Sequence, residues 1–408
     1  MKVLIISHKP PFPVIDGGCL AMSRFLENIH SQKEIENITY LSLSTFKHPF
    51  ERHEIPQKKF NKVTFIDKYI DTKLRPEKAL KDLIRGESYN LSRFYNPSVS
   101  EFIVRLGKEN DYKLVIFESL FATVYFKDLK KNISAKFIYR AHNIENNIWK
   151  DLKNKAKNPI KKWYVSKLQE KLEIYEHDLL KTIDLILPLS WSDLNQIDKI
   201  SSGKSFLIPV AMQKVNVKPN YDNTNLCFIG AFNWFPNIEA IQWFIKYVFA
   251  PLKIEFPHLQ FHIAGSYSEK ISNLKQIEGI HLHGFVDSSI DFIANNGIFI
   301  APLQSGSGVK MKVLEAMSIG VPCSISPKGA EGILGEVYSN GTAEKFKTDL
   351  KSLIKNKSLR IDNGLKGQKN IETFYSHQTI NKNLEELLRT SKNDNFNTEI
   401  TVTKTKLP

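Results

Sequence analysis

The sequence predicts an α/β protein built from two parallel sheets. Short apolar segments rich in β-forming residues alternate with helical patterns, and this alternation starts a second time near residue 226. Strands that alternate with helices form parallel βαβ units. The length agrees, because 408 residues are too many for one ordinary core and suit two domains of ~100–200 residues.

The predicted strands are short and fall into two sets. Those of the first sheet are VLIIS at 3–7, ITYLSLS at 38–44, LVIF at 114–117, KFIYR at 136–140 and LILPLS at 185–190. Those of the second sheet are LCFIG at 226–230, LQFHIAG at 259–265, IFIAP at 298–302 and VPCSIS at 321–326. Each run of the second set ends in a glycine, proline or serine, which are residues that interrupt strands.

Turn-forming residues cluster between 203 and 225 and mark the domain boundary. We therefore predict an N-terminal domain at 1–205 and a C-terminal domain at 206–376. A helix at 377–389 is expected to cross back and pack on the first domain. The end of the chain, 391–408, is polar and aperiodic, and we predict that it is disordered.

Composition places the chain among soluble globular proteins, with 42% hydrophobic and 25% charged residues. No apolar stretch reaches the ~18 residues of a membrane-spanning helix. The N-terminal segment has the pattern of a first strand and lacks that of a signal peptide. The three cysteines have no metal-ligand spacing, so we expect reduced thiols and a cytoplasmic protein.

A net charge of +14 suggests an anionic partner. The segment 150–171 carries eight lysines and two acidic residues. From Ile160 to Ile183, apolar residues follow at helical spacing, which predicts a helix with one apolar face. Two interpretations remain. The helix packs on the first sheet with its lysines in water, or its basic face, with Trp163 at the edge, rests on anionic lipid. The first is favoured, because the core needs the apolar stripe in either case.

The strongest motif is IFIAPLQSGSGVKMKVLEAMSIGVPCSIS at 298–326, which predicts a strand, a glycine-rich loop, a helix and a second strand. The start of a helix offers free N–H groups and the positive end of its dipole, where a diphosphate would bind. Gly306 and Gly308 allow the backbone to approach a ligand closely. Lys310 and Lys312 are predicted in the first helical turn, where cations are unfavourable unless an anion is bound.

Glu315 follows one to two turns into the same helix and could reach the same ligand. A carboxylate accepts two hydrogen bonds, as a ribose diol requires. The alternative is that the two glycines only form a turn and that Glu315 balances local charge. The order of strand, glycine loop, Lys-x-Lys and Leu-Glu-Ala-Met is more specific than a Gly-x-Gly alone.

These residues carry a resemblance to a known family. GSGVKMKVLEAMSIGVPCSISPKGAEGI resembles the donor-site signature of the retaining nucleotide-sugar glycosyltransferases of family 4, which have the GT-B fold. FIGAFNWFPNIEAIQWF at 228–244, RAHNIENNIW at 140–149 and PPFPVIDGG at 10–18 are similar to other segments of that family. The resemblance implies two Rossmann-like domains that face each other across a cleft, and metal-independent hexosyl transfer with retention of configuration.

The resemblance also implies roles for residues of the second domain. Glu315 matches the second glutamate of the family's Glu-x7-Glu motif, which holds the donor ribose. Ser307 stands where the first glutamate would be, so the transferred sugar stays open. The family's basic residues after the first strand of this domain would fall at about Ala231 and Pro236, and Lys310 and Lys312 are inferred to replace them at the diphosphate. The implied donor-binding set is completed by Gly230, Gly308 and Val309.

Three further candidates follow from the resemblance. Gly17 and Gly18 match glycines that approach the donor phosphates from the first domain; the alternative is a simple turn. His142 matches a histidine that faces the donor sugar, and it follows the carboxyl end of a strand, where ligands of α/β domains bind. Glu331, in GAEGI, matches a segment that meets the sugar hydroxyls; its alternative role is to cap a helix. His142, Lys310 and Glu331 form the predicted catalytic set.

The predicted function is transfer of a sugar from a nucleotide-diphosphate donor to a glycan or lipid-linked acceptor, in assembly of cell-surface polysaccharides or glycoconjugates. No metal or other cofactor is expected. The protein is predicted in the cytoplasm, or peripheral on the inner face of the membrane through 150–171. The alternatives are a nucleotide-sugar isomerase or epimerase of the same fold, which needs no acceptor, and a basic nucleic-acid-binding protein. No nucleic-acid partner is expected, because no binding motif occurs.

Overall fold

The computed structural model describes residues 1–337 and 341–390, with the side chain of Thr390 excepted. The chain divides into two compact units. Unit 1 comprises Met1–Ala211 together with the segment that begins at Ile380, and unit 2 is Met212–Thr379. The disordered tail predicted at 391–408 lies outside the described residues.

Unit 1 is built on a six-stranded sheet in the order β3-β2-β1-β4-β5-β6, in which every neighbouring pair is parallel. The strands are β1 (Lys2–Ser7), β2 (Asn37–Ser44), β3 (Val63–Tyr69), β4 (Tyr112–Glu118), β5 (Lys136–Ala141) and β6 (Leu185–Pro188). The helices are α1 (Gly17–His30), α2 (Pro76–Arg85), α3 (Tyr89–Ser92), α4 (Pro97–Glu109), α5 (Phe126–Asn132), α6 (Glu145–Lys155), α7 (Pro159–Thr182) and α8 (Trp191–Ser201). Short 3₁₀ turns occur at Arg52–Glu54, Gln57–Lys59 and Leu120–Tyr125.

Both faces of this sheet are buried. Leu4 and Ile6 of β1 belong to the core on one face, and Val3 and Ile5 belong to the core on the other. A strand covered on both faces reads as a continuous apolar run, which is why VLIIS shows no alternation. The last helix, α16 (His377–Thr390), places Ile380, Leu384, Leu387 and Leu388 in the second of these cores, so it packs on unit 1 as predicted.

The boundary between the units lies at Ala211 and Met212, later than the predicted division at 205 and 206. The reason is that 206–208 continues the first sheet's packing. The N–H of Phe206 donates to the Ile186 carbonyl at 2.9 Å, the N–H of Ile208 donates to the Pro188 carbonyl at 3.1 Å, and both side chains enter the core of unit 1.

Unit 2 contains a five-stranded parallel sheet in the order β11-β10-β7-β8-β9. Its strands are β7 (Leu226–Ile229), β8 (Phe261–Ala264), β9 (Ile280–Gly284), β10 (Ile298–Ala301) and β11 (Cys323–Ile325). Its helices are α9 (Phe235–Phe244), α10 (Ala250–Glu255), α11 (Ser289–Asn295), α12 (Met311–Ile319), α13 (Pro327–Ala330), α14 (Ala343–Lys355) and α15 (Lys357–Asn370). A 3₁₀ segment covers Ser268–Gln276, and π turns cover Ile245–Phe249 and Ile371–Tyr375. Two parallel-sheet, Rossmann-like domains confirm the predicted fold class.

The basic segment forms α6 and α7. Leu168, Leu172 and Leu179 of α7 are buried in the core of unit 1, as the apolar stripe predicts. The predicted apolar face is wrong at its first residue, because Ile160 is 77% exposed. Ile160 lies in the first turn of α7, before that helix meets the rest of the core. Within the described part of the chain, none of the helices has the length and apolar character needed to cross a bilayer. All three cysteines are buried free thiols.

Candidate functional site

The glycine-rich loop of unit 2 joins the carboxyl end of β10 to the amino end of α12. Gly306 and Gly308 have φ angles of +99° and +75°, a region that residues with side chains rarely adopt. The loop therefore depends on glycine at both positions. It leads directly into the first turn of α12, where the N–H groups of Met311 and Lys312 have no carbonyl partner earlier in the helix. The N–H of Val313 already donates to the Lys310 carbonyl at 2.8 Å. An anion is the natural ligand of such a helix start.

The two lysines of the motif take different positions. Lys310 is the residue before the helix, and Lys312 lies in the first turn, so the prediction that both occupy the first turn is wrong for Lys310. The Lys310 ammonium donates to the Gly308 carbonyl at 2.5 Å and lies 3.9 Å from a Glu331 carboxylate oxygen. The positive φ of Gly308 turns the chain just before Lys310, so the helix starts one residue later than the pattern indicates.

Lys312 is turned inward. Its ammonium donates to Asn237 Oδ1 at 2.7 Å and lies 4.0 Å from the centre of the Phe228 ring. Burial, aided by the charge of Lys310, lowers the pKa of Lys312 to about 7. In the free protein the Lys312 amine is therefore only partly protonated near neutral pH. An anion bound beside it would restore the charge.

Gly230 leaves the space that Lys312 occupies. It follows β7, and a Cβ atom at this position would lie 2.8 Å from the Lys312 ammonium and 2.8 Å from the Asn237 amide nitrogen. Any larger residue would displace both side chains. The loop after β7, the start of α9 and the first turn of α12 thus meet at one place in unit 2, at the carboxyl ends of β7 and β10. Ligands of open α/β sheets bind at such ends.

Glu315 and Lys312 are three residues apart on α12, a spacing that places them on the same side of a helix. Glu315 is partly buried, whereas its neighbours Leu314 and Ala316 are fully buried. Ser307 is partly exposed in the glycine loop, and Val309 packs against the apolar core. Of the predicted donor-site residues of unit 2, Lys312 and Glu315 therefore share one side of α12, and the others lie in the loops after β7 and β10.

The structure adds one carboxylate that the sequence did not indicate. Glu239 of α9 accepts a hydrogen bond from the buried hydroxyl of Ser305 in the glycine loop. Glu239 and Asn237 lie close together in α9, far from the loop along the chain. The signal that could have found them is NIEAIQWF, in which polar residues interrupt a helix that is otherwise apolar.

Glu331 lies at the carboxyl end of α13. The alternative that it caps a helix as a first-turn acid is therefore wrong. One carboxylate oxygen accepts from the Lys328 ammonium at 2.9 Å. The other oxygen is buried and has no hydrogen-bond partner among the described residues. It lies 3.9 Å from the Lys310 ammonium. A buried acceptor with spare capacity beside a cation suits a ligand hydroxyl.

In unit 1 the loop after β1 contains a buried cation. Lys9 is 7% exposed, and its ammonium pairs with the Asp16 carboxylate at 2.5 Å. Asp16 is the N-cap of α1 and accepts the N–H of Cys19 at 2.8 Å. Gly17 and Gly18 form the first residues of that helix, and a Cβ on Gly18 would lie 3.0 Å from the Lys9 ammonium. The absence of a side chain at Gly18 thus leaves room for Lys9 beside the start of α1.

His142 follows β5 and is held by a buried ion pair. Its Nε2 lies 2.6 Å from Glu118 Oε2, and the same oxygen accepts from Arg140 Nη1 at 3.0 Å. Glu118 and Arg140 are completely buried. Burial tends to raise the pKa of the Glu118 carboxyl, but Arg140 and His142 together hold it below its usual value. Glu118 is therefore an anion that orients the imidazole.

The protonation of His142 follows from these contacts. Burial lowers the pKa of His142 against the opposing pull of Glu118, so the ring is neutral at neutral pH. A neutral ring that donates from Nε2 to a carboxylate has its acceptor at Nδ1. The imidazole can then accept a hydrogen bond from a ligand hydroxyl through Nδ1.

A second histidine completes the site. His8 directly follows β1, and its Nδ1 lies 2.8 Å from the Ser119 hydroxyl and 3.3 Å from the Glu118 carbonyl. The rings of His8 and His142 are 6.4 Å apart. Burial, followed by the charge of Lys9, lowers the pKa of His8 well below its usual value. Ser119 has a φ of +79°, a strained conformation of the kind that is found at functional sites.

The sequence pattern indicates His142 but not the residues that accompany it. Glu118, Arg140 and His8 each lie at or just past the carboxyl end of a buried strand. Polar residues at those positions of VIFES, FIYRAH and LIISH were visible, and the rule that ligands bind at strand ends could have selected them. Only the order of the strands shows that β1, β4 and β5 are neighbours.

Comparison with known proteins addresses the region around the glycine loop. Residues 223–356 match the family model of group 1 glycosyl transferases. The matched segment includes the loop after β7, the glycine loop, α12 and Glu331. A protein from Klebsiella pneumoniae named "Uncharacterized 44.6 kDa protein in cps region" is 25% identical over 346 residues, which cover 81% of this chain and 84% of that protein.

Solved structures resemble the whole chain. Sucrose-phosphate synthase from Thermosynechococcus elongatus has a TM-score of 0.70 at 13% identity, over 95% of this chain and 98% of that chain. HepE from Anabaena in complex with UDP-glucose has a TM-score of 0.66 at 12% identity, over 96% and 100%. A variant of TarM from S. aureus, in complex with Fondaparinux, alpha-GlcNAc-glycerol and UDP, has a TM-score of 0.63 at 12% identity, over 94% and 98%. These similarities establish the GT-B fold for a chain of which residues 223–356 match the group 1 glycosyl transferase model.

Proposed function

We propose that this protein is a glycosyltransferase that takes a hexose from a nucleotide-diphosphate sugar. The observation that carries the proposal is the junction of the glycine loop with α12, where Lys312 and the free N–H groups of the helix start meet beside Gly230. A diphosphate placed there would receive hydrogen bonds and positive charge from one rigid element. The match of 223–356 to the group 1 glycosyl transferase model supports the same assignment.

In the proposed reaction the bond between the anomeric carbon and the diphosphate breaks, and a bond from that carbon to an acceptor hydroxyl oxygen forms. The electron pair of the broken bond leaves with the diphosphate, which takes up the proton of the acceptor hydroxyl. Negative charge grows on the leaving phosphate, so a donor set aimed at it stabilises the transition state more than the ground state. Lys310, Lys312 and the amino end of α12 are the proposed donors.

We assign the ribose of the donor to Glu315 and the sugar hydroxyls to Glu331 and His142. The buried acceptor oxygen of Glu331 and the acceptor Nδ1 of His142 each suit a hydroxyl. Gly17, Gly18, Ser307, Gly308 and Val309 complete the proposed donor site as backbone contacts. Transfer with retention of configuration, as in family 4, is part of the proposal.

We propose that no metal takes part, because the lysines and the helix start supply the positive charge that a divalent ion would otherwise provide at the diphosphate. The acceptor is proposed to be a glycan or a lipid-linked glycan, in the assembly of cell-surface polysaccharides or glycoconjugates. No other cofactor enters the scheme. We place this reaction in the cytoplasm.

Association with the inner face of the membrane is a further part of the proposal. At the start of α7, Trp163 is 55% exposed and Ile160 is 77% exposed, with Lys161 and Lys162 between them. Exposed apolar side chains next to lysines suit the interface of an anionic bilayer. These residues are therefore the ones at which membrane binding by 150–171 can be tested.

Incubation of the purified chain with a panel of nucleotide sugars, beginning with UDP-glucose, tests the proposal. Three outcomes matter. Release of nucleoside diphosphate that depends on an added glycan acceptor supports transfer, and its persistence in excess EDTA supports the metal-independent form. Conversion of the donor without any acceptor would instead indicate an isomerase or epimerase. Lack of binding to every donor, measured by thermal stabilisation, would overturn the donor-site assignment.

A further inference from the structure

Unit 1 contains a groove that the proposed donor chemistry does not use. It has a volume of about 870 Å³ and lies between α2 and α3 on one side and α7 on the other. Its lining includes Leu91, Tyr95, Ile174 and Tyr175 as well as several charged side chains. A volume of this size falls in the range of ~300–1,000 Å³ that is typical of binding sites. We call it the α2–α7 groove.

We propose that the α2–α7 groove binds an oligosaccharide, so that the acceptor is a glycan chain of several sugar residues. This inference rests on the proposed function, because it identifies the acceptor of that reaction. It also makes a separate claim about carbohydrate binding by unit 1, which can be measured without any donor.

An aromatic platform supports a carbohydrate ligand. Tyr95 is 39% exposed, its ring stacks on Tyr125 at 5.6 Å and 28°, and its hydroxyl donates to Asp128 Oδ2 at 3.0 Å. The ring is therefore held in one orientation. The C–H faces of a sugar ring pack well on such a surface, because aromatic faces carry partial negative charge. Tyr175 is fixed in a similar way by a 2.9 Å hydrogen bond to Thr123.

The polar groups of the groove suit hydroxyls. The lining carries donors on Lys78, Arg85 and Lys171 as well as carboxylates. Sugar hydroxyls both donate and accept, so they can use both kinds of group. An acyl or prenyl chain would remove these charged groups from water without replacing their hydrogen bonds, which is unfavourable.

A buried hydroxyl in the lining gives independent support. Ser88 is 6% exposed, and its Oγ has no hydrogen-bond partner in the part of the chain that the structure describes. Buried hydroxyls nearly always have a partner, so an unsatisfied one in the wall of a groove suits a ligand hydroxyl. The neighbouring Asp82 is buried too and accepts the Ser92 hydroxyl, so that carboxylate already has a fixed position.

A short series of aromatic contacts links Tyr95 in the groove to His8. Tyr95 follows Phe94, whose ring stacks on Phe121 at 5.0 Å, and the His8 ring lies 5.9 Å from Phe121. One layer of aromatic rings therefore separates the groove from the two imidazoles. A glycan that packed on Tyr95 would have to extend past these rings to bring its end to His142.

The test measures binding of the full chain to immobilised oligosaccharides, from disaccharides to hexasaccharides, in the absence of donor. Tyr95→Ala removes the platform, and Ile174→Arg fills the groove from the exposed side of α7, where Ile174 is 58% exposed. Tyr69→Ala is the matched control, because Tyr69 is 56% exposed in the same unit and does not line the groove. We expect binding of at least one long oligosaccharide that both groove variants weaken by about tenfold or more and the control leaves unchanged.

Failure to bind any oligosaccharide would overturn the inference, as would binding that both groove variants leave unchanged. A prenyl phosphate in detergent that binds in a Tyr95-dependent manner, while no oligosaccharide does, would replace it with a lipid site. Thermal stabilisation by UDP, recorded on the same samples, separates this result from the proposed function. If the UDP effect is present and oligosaccharide binding is absent, only the groove assignment fails.

Discussion

The imidazole Nε2 of His142 and the carboxylate Oε2 of Glu118 lie 2.6 Å apart, and the Arg140 guanidinium reaches the same oxygen. The three side chains belong to two neighbouring strand ends and form one buried network. Glu118 balances a buried cation and orients the ring at the same time. The network therefore links the stability of unit 1 to the proposed chemistry of His142.

Replacement of Glu118 by glutamine should destabilise the protein strongly. The change leaves the Arg140 cation buried without its counter-charge, and the loss of one partner of a buried pair typically lowers the free energy of unfolding by about 3–5 kcal/mol. Chemical denaturation followed by circular dichroism measures the effect. Asp111→Asn is the control, because Asp111 is 76% exposed in its pair with Lys113, and it should change stability by less than about 0.5 kcal/mol. Equal effects of the two changes would show that the network is not a stabilising unit.

Replacement of Glu315 by alanine should weaken binding of the donor nucleotide at least about tenfold. If Glu315 holds the ribose diol, the variant loses two hydrogen bonds to a charged group, worth roughly 1.5–3 kcal/mol each. Melting temperatures with and without nucleotide should show a nearly unchanged free protein and a lost nucleotide shift. Glu344→Ala, at a position 78% exposed on α14, should keep that shift. The opposite pattern, lower stability of the free protein with an intact shift, would assign Glu315 a structural role.

Binding of a nucleoside diphosphate should weaken as pH rises above about 7. The pKa of Lys312 in the free protein is about 7, and a bound diphosphate favours the charged ammonium, so binding takes up a proton. We expect the affinity for UDP to fall by up to about tenfold per pH unit between the free and bound pKa values. Calorimetry in buffers with different ionisation enthalpies measures the proton uptake. Lys312→Arg keeps its charge across this pH range, so its affinity for UDP should no longer fall above about pH 7. An unchanged pH dependence of the affinity would exclude Lys312 as the source of the effect.

The same lysine should affect stability without ligand. Between about 7 and its ordinary pKa of 10.5, Lys312 is protonated in the unfolded chain and mostly neutral in the folded one. The unfolded state then binds more protons, so the contribution of Lys312 to the free energy of unfolding rises with pH across this window. Urea denaturation of the wild type and Lys312→Met at about pH 6 and pH 9 measures it. The free energy of unfolding of the wild type, relative to that of Lys312→Met, should be greater at about pH 9 than at about pH 6.

The start of α7 should bind anionic vesicles. Each lysine near such a surface contributes about 1 kcal/mol, so Lys161→Glu with Lys162→Glu should reduce binding to vesicles that contain phosphatidylserine by more than about tenfold. Sedimentation at low and high salt measures this, and salt should abolish wild-type binding. The control is Lys218→Glu with Lys345→Glu, which changes the net charge equally at exposed positions of unit 2. Equal sedimentation with neutral and anionic vesicles would contradict the membrane surface.

Local patterns in the sequence determined the two parallel sheets, the glycine loop and the helix that follows it. The β-rich apolar runs and the two glycines at positive φ have short-range causes, and reasoning from propensity and turn chemistry reaches them. The same reasoning identified Lys310, Lys312, Glu315 and His142 as candidates. It misplaced the domain boundary, because the packing of 206–208 on the first sheet depends on contacts with residues distant in the chain.

Only the tertiary structure decided which residues accompany the candidates. Strand order brings Glu118 beside His142, and the pairing of β7 with β10 brings Asn237 to Lys312. The inward turn of Lys312 is a tertiary property, because the space it occupies exists only where Gly230 lacks a side chain. The α2–α7 groove has the same origin, since no local pattern encodes the gap between helices that are distant in sequence. The physical reason is that sequence periodicity records which face of an element is buried, whereas a site depends on which elements become neighbours.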